Sequence, residues 1–193
     1  MKKILGVILG IAIVLFNLNF LIVDMNFFEK EFHKLGNYNN DRMNETRILS
    51  VYFQDSNEFV NTSVYTENEI SHLKDVKSLI NISRILMLFL LLIFLLEFEK
   101  KSLLYAFPTI IIISLILFVL SLNFSLFFSK FHELFFVGNY SFPYDSFLIQ
   151  SFPEQFFQDA FQTLLFRSIL SSFLFYVFAL FNFDTFLFMK YFK

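Results

Sequence analysis

The sequence predicts an all-α membrane protein: a bundle of four transmembrane helices with a small extracytoplasmic cap. Composition is the first reason. The chain has 193 residues, of which 56% are hydrophobic and only 17% are charged, and its mean hydropathy is +0.62. Such a chain is too apolar for a soluble domain of this length. The second reason is that four apolar stretches reach about 20 residues, the length at which a helix crosses a bilayer. We therefore treat residues 1–193 as a single membrane domain.

The first apolar stretch, about 4–23, follows the basic start Met1-Lys2-Lys3. It is longer than the core of a signal peptide and no A-x-A cleavage site follows, so we expect an uncleaved anchor. Gly6 and Gly10 form a small-xxx-small step within it. We favour close packing inside the bundle for this step, and a dimer face is the alternative. The other three spans are predicted at about 78–98, 103–128 and 162–188.

Lysines next to the spans predict the orientation. With four spans, one side of the membrane receives all of Lys2, Lys3, Lys100, Lys101, Lys190 and Lys193. The positive-inside rule makes that side cytoplasmic, so both termini are predicted to be cytoplasmic in a multi-pass protein of the cell membrane. The segments at about 24–77 and 129–161 are then extracytoplasmic. The first of these is too long and too polar for a simple turn, so it should fold as the cap.

Several classes of function are excluded by composition. The net charge of −2 leaves no basic field for nucleic acid. The absence of cysteine excludes a thiol nucleophile, a thiolate metal site and a disulfide framework, and it prevents the chain from being a lipid-modified lipoprotein itself. The sequence contains no glycine-rich phosphate loop, no H-E-x-x-H and no G-x-S-x-G.

The stretch ENEISHLKDVK, Glu67 to Lys77, places a histidine among charges just before the second span. The four residues that begin at Thr66 have the S/T-x-x-E form of a capping box, with Glu69 at the third helical position. A helix that starts there carries Glu69 and His72 on one face. His72 should then lie about two turns above the membrane, on its outer side.

The second histidine of interest is His132, just beyond the outer end of the third span. Further along, Ser151-Phe152-Pro153-Glu154 again has the form of a capping box and predicts the start of a helix that leads into the fourth span. His72 and His132 are thus expected at the same depth, the outer membrane interface. His33 has no comparable setting, and we interpret it as a solvated residue of the cap.

Two arginines are predicted inside the outer parts of spans. Arg84 falls in the second span and Arg167 in the fourth. A charge at that depth costs free energy unless it pairs, reaches the headgroups or faces a wet cavity. Two interpretations stay open, namely extension of the side chains to the headgroups and a polar cavity that opens outward.

The residues leave acid–base chemistry as the main catalytic hypothesis. A metal site built from Glu69, His72 and the His132-Glu133 pair is an alternative, but a single E-x-x-H is weak and adjacent helical residues do not face one point. Two imidazoles without a protein nucleophile suit a reaction whose nucleophile belongs to the substrate.

The segment ENEISHLKDVK before a span, followed by FHELFF and then YDSFLIQSFPEQFF, resembles the lipoprotein intramolecular transacylases, which are small four-span bacterial membrane enzymes. The resemblance covers nearly the whole chain. It implies transfer of the sn-2 acyl chain of a diacylglyceryl lipoprotein to the α-amino group of its N-terminal cysteine, giving a lyso-form lipoprotein. It also implies that His72 and His132 are the catalytic pair. This chain departs from the family pattern in Leu73, where Met is frequent, and in Tyr140 and Phe142, which occupy a region that often has Trp.

Other polar residues are candidates for supporting roles. Glu69, Asp75 or Asp145 would orient an imidazole, although the capping box already accounts for Glu69. A protonated histidine, Lys77, Arg84 or a backbone N–H would stabilise an oxyanion, and the sequence does not select among them; Arg167 would contact substrate. We expect no metal and no cofactor, and the expected partners are diacylglyceryl lipoproteins and membrane lipids.

Two alternatives to this enzyme remain. One is a non-catalytic membrane protein that binds lipid or lipoprotein through the charged cluster. The other is a membrane metalloenzyme. The sequence predicts no oligomeric state.

Overall fold

The computed structural model describes residues 1–54, 64–136 and 140–180, and these residues form helices joined by turns, without a strand among them. The α-helices are α1 Lys2–Leu21, α2 Met25–Lys34, α3 Asn40–Gln54, α4 Glu67–Leu96, α5 Leu103–Leu120, α6 Phe124–Phe135, α7 Phe147–Ser151 and α8 Glu154–Leu180. Four helical stretches of the described chain are long and apolar enough to cross a membrane, namely Lys2–Leu21, Glu67–Leu96, Lys100–Phe135 and Glu154–Leu180. The predicted all-α class with four membrane-crossing helices is confirmed.

The first helix is the centre of the bundle. It packs against α4, α5 and α8, and α5 in turn packs along α8. Its two glycines face α5 at very short range. A Cβ placed on Gly6 would stand 2.4 Å from Cβ of Tyr105, and one on Gly10 would stand 3.0 Å from Cγ2 of Thr109. The small-xxx-small step therefore serves packing within the chain, as favoured from the sequence.

Polar side chains join the helices inside the bundle. The amide Nδ2 of Asn19 on α1 donates to Oγ of Ser83 on α4 at 3.1 Å, and Nδ2 of Asn17 donates to Oγ of Ser171 on α8 at 3.4 Å. Where water is absent, such bonds help to fix which helix faces meet. At one end of the bundle, Nζ of Lys2 pairs with Oε1 of Glu99 at 3.0 Å. The N-terminus and the turn between α4 and α5 thus lie at the same end of the bundle.

The third predicted span, 103–128, is not one continuous α-helix. The helix α5 ends at Leu120, a 3-10 turn covers Ser121–Asn123, and α6 begins at Phe124. Oδ1 of Asn123 accepts a hydrogen bond from the backbone N–H of Leu126 and so caps the new helix. Hydropathy alone could not show this interruption, because the residues on both sides of it are apolar.

The predicted fourth span, 162–188, lies within and beyond α8. This helix begins at Glu154, ahead of the predicted span. Residues 181–188 lie outside the described residues, as do Lys190 and Lys193, on which part of the orientation argument rests.

The cap consists of α2 and α3, which pack on each other and on the start of α8. Its core is a group of aromatic side chains contributed by Phe27, Phe28, Phe32, Phe152 and Phe156. Burial of such rings is the main source of stability for a small polar-surfaced cap of this kind.

The two span arginines tether this cap to the bundle. Nη2 of Arg167 on α8 pairs with Oδ2 of Asp24, the N-cap residue of α2, at 2.6 Å. Nη1 of Arg84 on α4 donates to the backbone carbonyl of Phe53 on α3 at 2.6 Å. Each guanidinium therefore meets a cap acceptor, which offsets the cost of placing a charge at that depth.

The capping box predicted at Ser151 was wrong. Ser151 is the last residue of α7, and its Oγ accepts a hydrogen bond from Nε of Arg42 at 3.0 Å. Oε2 of Glu154 instead accepts from Oγ of Ser125 at 3.2 Å. The helix α8 does start at Glu154, as expected, but the serine that precedes it ends a separate short helix.

Candidate active site

His72 lies one turn into α4, and the capping box that starts this helix is formed as predicted. Oγ1 of Thr66 accepts from the backbone N–H of Glu69, and the Glu69 carboxylate accepts from the backbone N–H of Thr66. The box fixes where α4 begins and hence the direction in which His72 points. The imidazole lies outside the predicted span 78–98 and is half-buried.

His132 lies in the last turn of α6, where a backbone carbonyl fixes its ring. Nδ1 of His132 is 2.8 Å from the carbonyl oxygen of Phe128, four residues earlier. A carbonyl oxygen only accepts, so Nδ1 must carry the hydrogen in this contact. The neutral ring then has a free lone pair on Nε2, and the protonated ring has a second N–H there. The chemically adaptable atom of His132 is therefore Nε2.

The structure brings the two imidazoles together. Their ring centroids are 6.0 Å apart and the planes are inclined by 19°. The ring of Phe136 stands beside both, at 4.8 Å from His72 and 5.2 Å from His132. The sequence placed the histidines at one depth on different spans, and the fold makes them neighbours across α4 and α6.

Two further rings complete what we call the aromatic wall, defined as Phe136, Tyr140 and Phe142. Tyr140 lies 5.3 Å from His132, and Phe142 lies 5.4 Å from His72, between ring centroids. The wall gives the histidine pair a mostly apolar flank, which strengthens electrostatic interactions beside it.

The setting of His72 lowers the pKa of its imidazole. Burial is the largest cause, and the positive charge that His132 can carry lowers the pKa further, whereas the carboxylate of Asp75 opposes both. Desolvation disfavours the charged form of a histidine, and so does a neighbouring cation. His72 is thus held as the neutral imidazole at neutral pH, the form that accepts a proton.

Among the predicted supporting residues, Asp75 is the one with an electrostatic effect on His72. Lys77 lies with Nζ 4.0 Å from the centroid of the Tyr52 ring. Glu69 is buried, and its carboxylate bonds to Thr66 and to the backbone N–H of Leu148. Asp145 is exposed in the turn before α7.

The two arginines proposed as substrate or oxyanion contacts are engaged away from the imidazoles. Arg84 lies further along α4, where it bonds to the carbonyl of Phe53. Arg167 pairs with Asp24 and lies over the ring of Phe20 at 5.6 Å. In this structure each guanidinium bonds to an acceptor of the cap.

Sequence reasoning missed the groups that hold the pair in place. The carbonyl of Phe128 orients His132, and the ring of Phe136 contacts both imidazoles. The first had a weak signal, because a side chain at helical position i lies over the turn four residues before it. No ring-to-ring contact of Phe136 with a residue on another helix is visible in a spacing pattern.

Within the described part of the chain, no group of three or more His, Cys, Asp or Glu side chains is arranged to hold a metal ion.

Comparisons with known proteins match this architecture. A family model described as lipoprotein intramolecular transacylase Lit matches residues 3–157. A solved structure of the membrane integral lipoprotein intramolecular transacylase Lit from Bacillus cereus is similar with a TM-score of 0.73 and 22% identity, covering 92% of this chain and 94% of that one. No curated protein sequence matches.

Two further structures of the Bacillus cereus protein, each with one histidine replaced, are also similar. The arginine variant has a TM-score of 0.73 at 20% identity, with 92% of this chain and 88% of that chain covered. The alanine variant has a TM-score of 0.72 at 21% identity, with 93% and 92% covered. At these identities the structural likeness shows a shared fold, and the family model, which spans most of the sequence, shows the family. The chain therefore belongs to the lipoprotein intramolecular transacylase family and is a multi-pass, all-helical membrane enzyme that acts on lipoproteins.

Proposed function

We propose that the enzyme moves the sn-2 acyl chain of a diacylglyceryl lipoprotein onto the α-amino group of the same lipoprotein's N-terminal cysteine. In the proposed reaction the amine nitrogen forms a bond to the ester carbonyl carbon, and the bond from that carbon to the glyceryl oxygen breaks. The nitrogen loses one proton and the glyceryl oxygen gains one. The products are an amide and a free hydroxyl, and the total mass does not change. The observation that carries the proposal is the adjacent pair His72 and His132.

His72 is assigned as the general base. An α-amine has a pKa near 7.7–8.0, so it must lose protons before and during its attack on the ester. The lowered pKa of His72 keeps the imidazole neutral at neutral pH and able to accept a proton. The carboxylate of Asp75 opposes this lowering of the pKa and so favours the imidazole as a proton acceptor.

His132 is assigned as the acid, acting through Nε2. The contact from Nδ1 to the Phe128 carbonyl orients the ring, as second partners do for other catalytic histidines. A protonated Nε2–H would first donate to the oxyanion of the tetrahedral intermediate and then pass its proton to the leaving glyceryl oxygen. After one turnover His72 carries the proton and His132 lacks it, so a proton must return between the two rings before the next cycle.

The remaining energetic needs are small. Acyl donor and acceptor belong to one molecule, so the entropy cost of bringing them together is largely met in advance. Conversion of an ester to an amide is favourable, so no nucleotide or other energy source is required. This is why two imidazoles without a protein nucleophile are sufficient for the proposed step.

We place the histidine pair at the outer membrane interface, with both termini cytoplasmic. Two features support this placement. The ion pair Lys2–Glu99 puts the basic N-terminus at the end of α4 opposite His72. Because α4 has 30 residues, its two ends are about 45 Å apart, enough to cross the bilayer and extend beyond it.

The test is transacylation of a synthetic diacylglyceryl lipopeptide by purified wild-type enzyme beside His72→Gln and His132→Gln. Each replacement should lower kcat by about 10²-fold or more, the usual worth of a general acid or base. His33→Gln is the matched control, since His33 is exposed and stacks on Tyr38 away from the pair. Activity near the wild-type level in either of the first two variants would remove that residue from the mechanism. If all variants bind lipopeptide and none, including wild type, transfers the chain, the non-catalytic lipoprotein-binding alternative would replace the proposal.

A further inference from the structure

We propose that Glu69 is a positioning residue for this site: its buried carboxylate ties the start of α4 to α7 and thereby holds Phe142 of the aromatic wall against His72. The inference rests on the proposed function for its catalytic consequence. Its structural part, the link between α4 and α7, can be tested separately.

The carboxylate of Glu69 is satisfied from two parts of the chain. It is 1% exposed. Oε2 accepts from the backbone N–H of Thr66 at 2.8 Å and from its Oγ1 at 2.9 Å, which is the capping box. Oε1 accepts from the backbone N–H of Leu148 at 3.1 Å, a bond between residues 79 apart in sequence. A capping box uses only the first set, so the bond to Leu148 is an additional function of this carboxylate.

The bond to Leu148 is set in a buried apolar contact between α4 and α7. Leu148 belongs to the same buried cluster as Leu73 and Tyr65. The ring of Tyr65 also meets that of Phe147 edge-on at 5.5 Å. A charged hydrogen bond in such a low-dielectric contact is stronger than one in water, and it costs more to lose.

The far end of α7 is fixed by the cap. Nε of Arg42 donates to Oγ of Ser151 at 3.0 Å, and Nδ2 of Asn37 donates to the carbonyl of Gln150 at 3.0 Å. The helix α7 is therefore held to the cap at its C-terminal end and to α4, through Glu69, at its N-terminal end.

Glu69 is therefore linked both to the helix that carries His72 and, through Leu148, to the segment that carries Phe142. His72 lies one turn beyond Glu69 on α4, and Phe142, 5.4 Å from His72, precedes α7 by a short segment. If the Glu69 bond is lost, Phe142, which packs against the Leu148 cluster, is free to move away from His72 and water can reach the imidazole. Displacement of reacting groups by about 1 Å can cost about 10²-fold in rate.

The experiment compares Glu69→Gln with Thr66→Val in the full-length enzyme. Glutamine keeps the size of the side chain, but its single carbonyl oxygen can accept from only one of the two backbone N–H groups. Valine removes the capping hydroxyl and leaves the bond to Leu148 in place. For each variant we would measure the melting temperature, kcat and KM with the lipopeptide, and the pKa of His72 by NMR of labelled imidazole. Glu69→Asp, whose carboxylate is too short to reach both donors, serves as a second variant if Glu69→Gln does not fold.

We expect Glu69→Gln to lower kcat about 10-fold or more with KM changed less than about 2-fold. We also expect the pKa of His72 to rise toward its ordinary value, because burial is what lowers it. Thr66→Val should lower the melting temperature while changing kcat and the pKa little. Equal effects of the two variants on kcat and on the pKa of His72 would reduce Glu69 to a helix cap and overturn the inference. The pKa of His72 is measured without substrate. This measurement therefore tests the link between α4 and α7 independently of whether the wild type transfers an acyl chain.

Discussion

At the residue scale, the two histidines of the site are held in different ways. His132 is oriented by a hydrogen bond from Nδ1 to a carbonyl of its own helix. His72 is positioned by the start of α4 and by surrounding rings, and its environment lowers its pKa. Two chemically identical side chains are thus suited to different proton-transfer roles by what surrounds them.

The coupling between these rings gives a direct prediction. In the wild type the pKa of His72 should be below its ordinary value of about 6.5. In His132→Gln it should rise, because the cation that disfavours protonation of His72 is gone. NMR titration of imidazole-labelled protein would measure this, with His33→Gln and His72→Gln used to assign the signals. An unchanged or lower pKa in His132→Gln would show that the rings do not interact as the structure implies.

Much at this scale was predictable from the sequence. The order and depth of His72 and His132 follow from the spans, and the capping box at Thr66 follows from its own four residues. The carbonyl of Phe128 and the bond between Glu69 and Leu148 were not predictable, because each depends on where a backbone group lies after folding. A sequence pattern records side-chain types and does not record the partners of backbone groups.

At the scale of elements, the contact between α1 and α5 depends on the absence of side chains at two positions. Gly6 lies against backbone at the start of α5, since its Cβ would be 2.8 Å from the carbonyl oxygen of Ser102, just before this helix, and 3.0 Å from the backbone carbon of Tyr105 within it. A Cβ on Gly10 would meet the Thr109 side chain first, with Cγ2 at 3.0 Å, and the nearest backbone atom, the carbonyl oxygen of Ala106, at 3.5 Å. Gly6 therefore has less room for a side chain than Gly10 has, although both face the same neighbouring helix.

Alanine substitutions should separate them. Gly6→Ala should lower stability by about 1–3 kcal/mol, because two helix backbones must move apart. Gly10→Ala should have a smaller effect, since the gain of about 0.5–1 kcal/mol from replacing a helical glycine offsets the small shift that Thr109 must make. Thermal unfolding in detergent, read by circular dichroism, would rank them. A melting temperature for Gly6→Ala at or above that of Gly10→Ala would contradict the packing described.

The contact between α2 and α8 includes two buried carboxylates. Glu31 and Asp159 are 4% and 7% exposed, and both face Nζ of Lys34, at 3.5 and 2.6 Å respectively. Burial raises the pKa of Glu31, and Asp159 raises it further, while Lys34 opposes this. A raised pKa in the folded state adds stability below the pKa of the unfolded chain, and that stability is lost as pH rises through the folded value.

Glu31→Gln should therefore stabilise the cap in a pH-dependent manner. The neutral amide cannot ionise, so the variant should melt above the wild type at neutral pH, and the difference should shrink as pH falls toward 4.5. Glu29→Gln, an exposed position on the same helix, is the control and should show no such trend. A variant that melts below the wild type at neutral pH would mean that the ionised carboxylate is favourable there.

Element boundaries were less predictable than element types. The start of α4 was right because a local motif specifies it. The separation of α5 from α6 and the short helix α7 were missed, since the first interrupts a continuous apolar stretch and the second is stabilised by tertiary contacts. The wrong cap at Ser151 has the same origin, because Arg42 uses the hydroxyl that the motif assigned to α8.

At the scale of the whole molecule, arginine side chains of the helix bundle hold the cap through an ion pair and a hydrogen bond. Arg167 reaches Asp24 across 143 residues, and Arg84 reaches the carbonyl of Phe53. The sequence showed that these charges needed partners at that depth, but it could not select them, because their partners come from distant parts of the chain. The number of spans was predictable, since it depends only on the length and polarity of each stretch.

In the proposed reaction the acyl chain moves within one lipoprotein molecule, from the glyceryl oxygen to the α-amine. The most direct measurement is a crossover experiment with two diacylglyceryl lipopeptides of different peptide mass, one of which carries deuterated acyl chains at sn-2. Purified wild-type enzyme would be incubated with the mixture, and fragmentation mass spectrometry would locate the labelled chain.

We expect each peptide to be N-acylated only by its own chain, with the mass of each substrate unchanged, and we expect no such product with His72→Gln or His132→Gln. Crossed products, with a deuterated chain on the unlabelled peptide, would contradict the intramolecular route. The absence of any N-acylated product from folded wild-type enzyme would contradict the transfer itself.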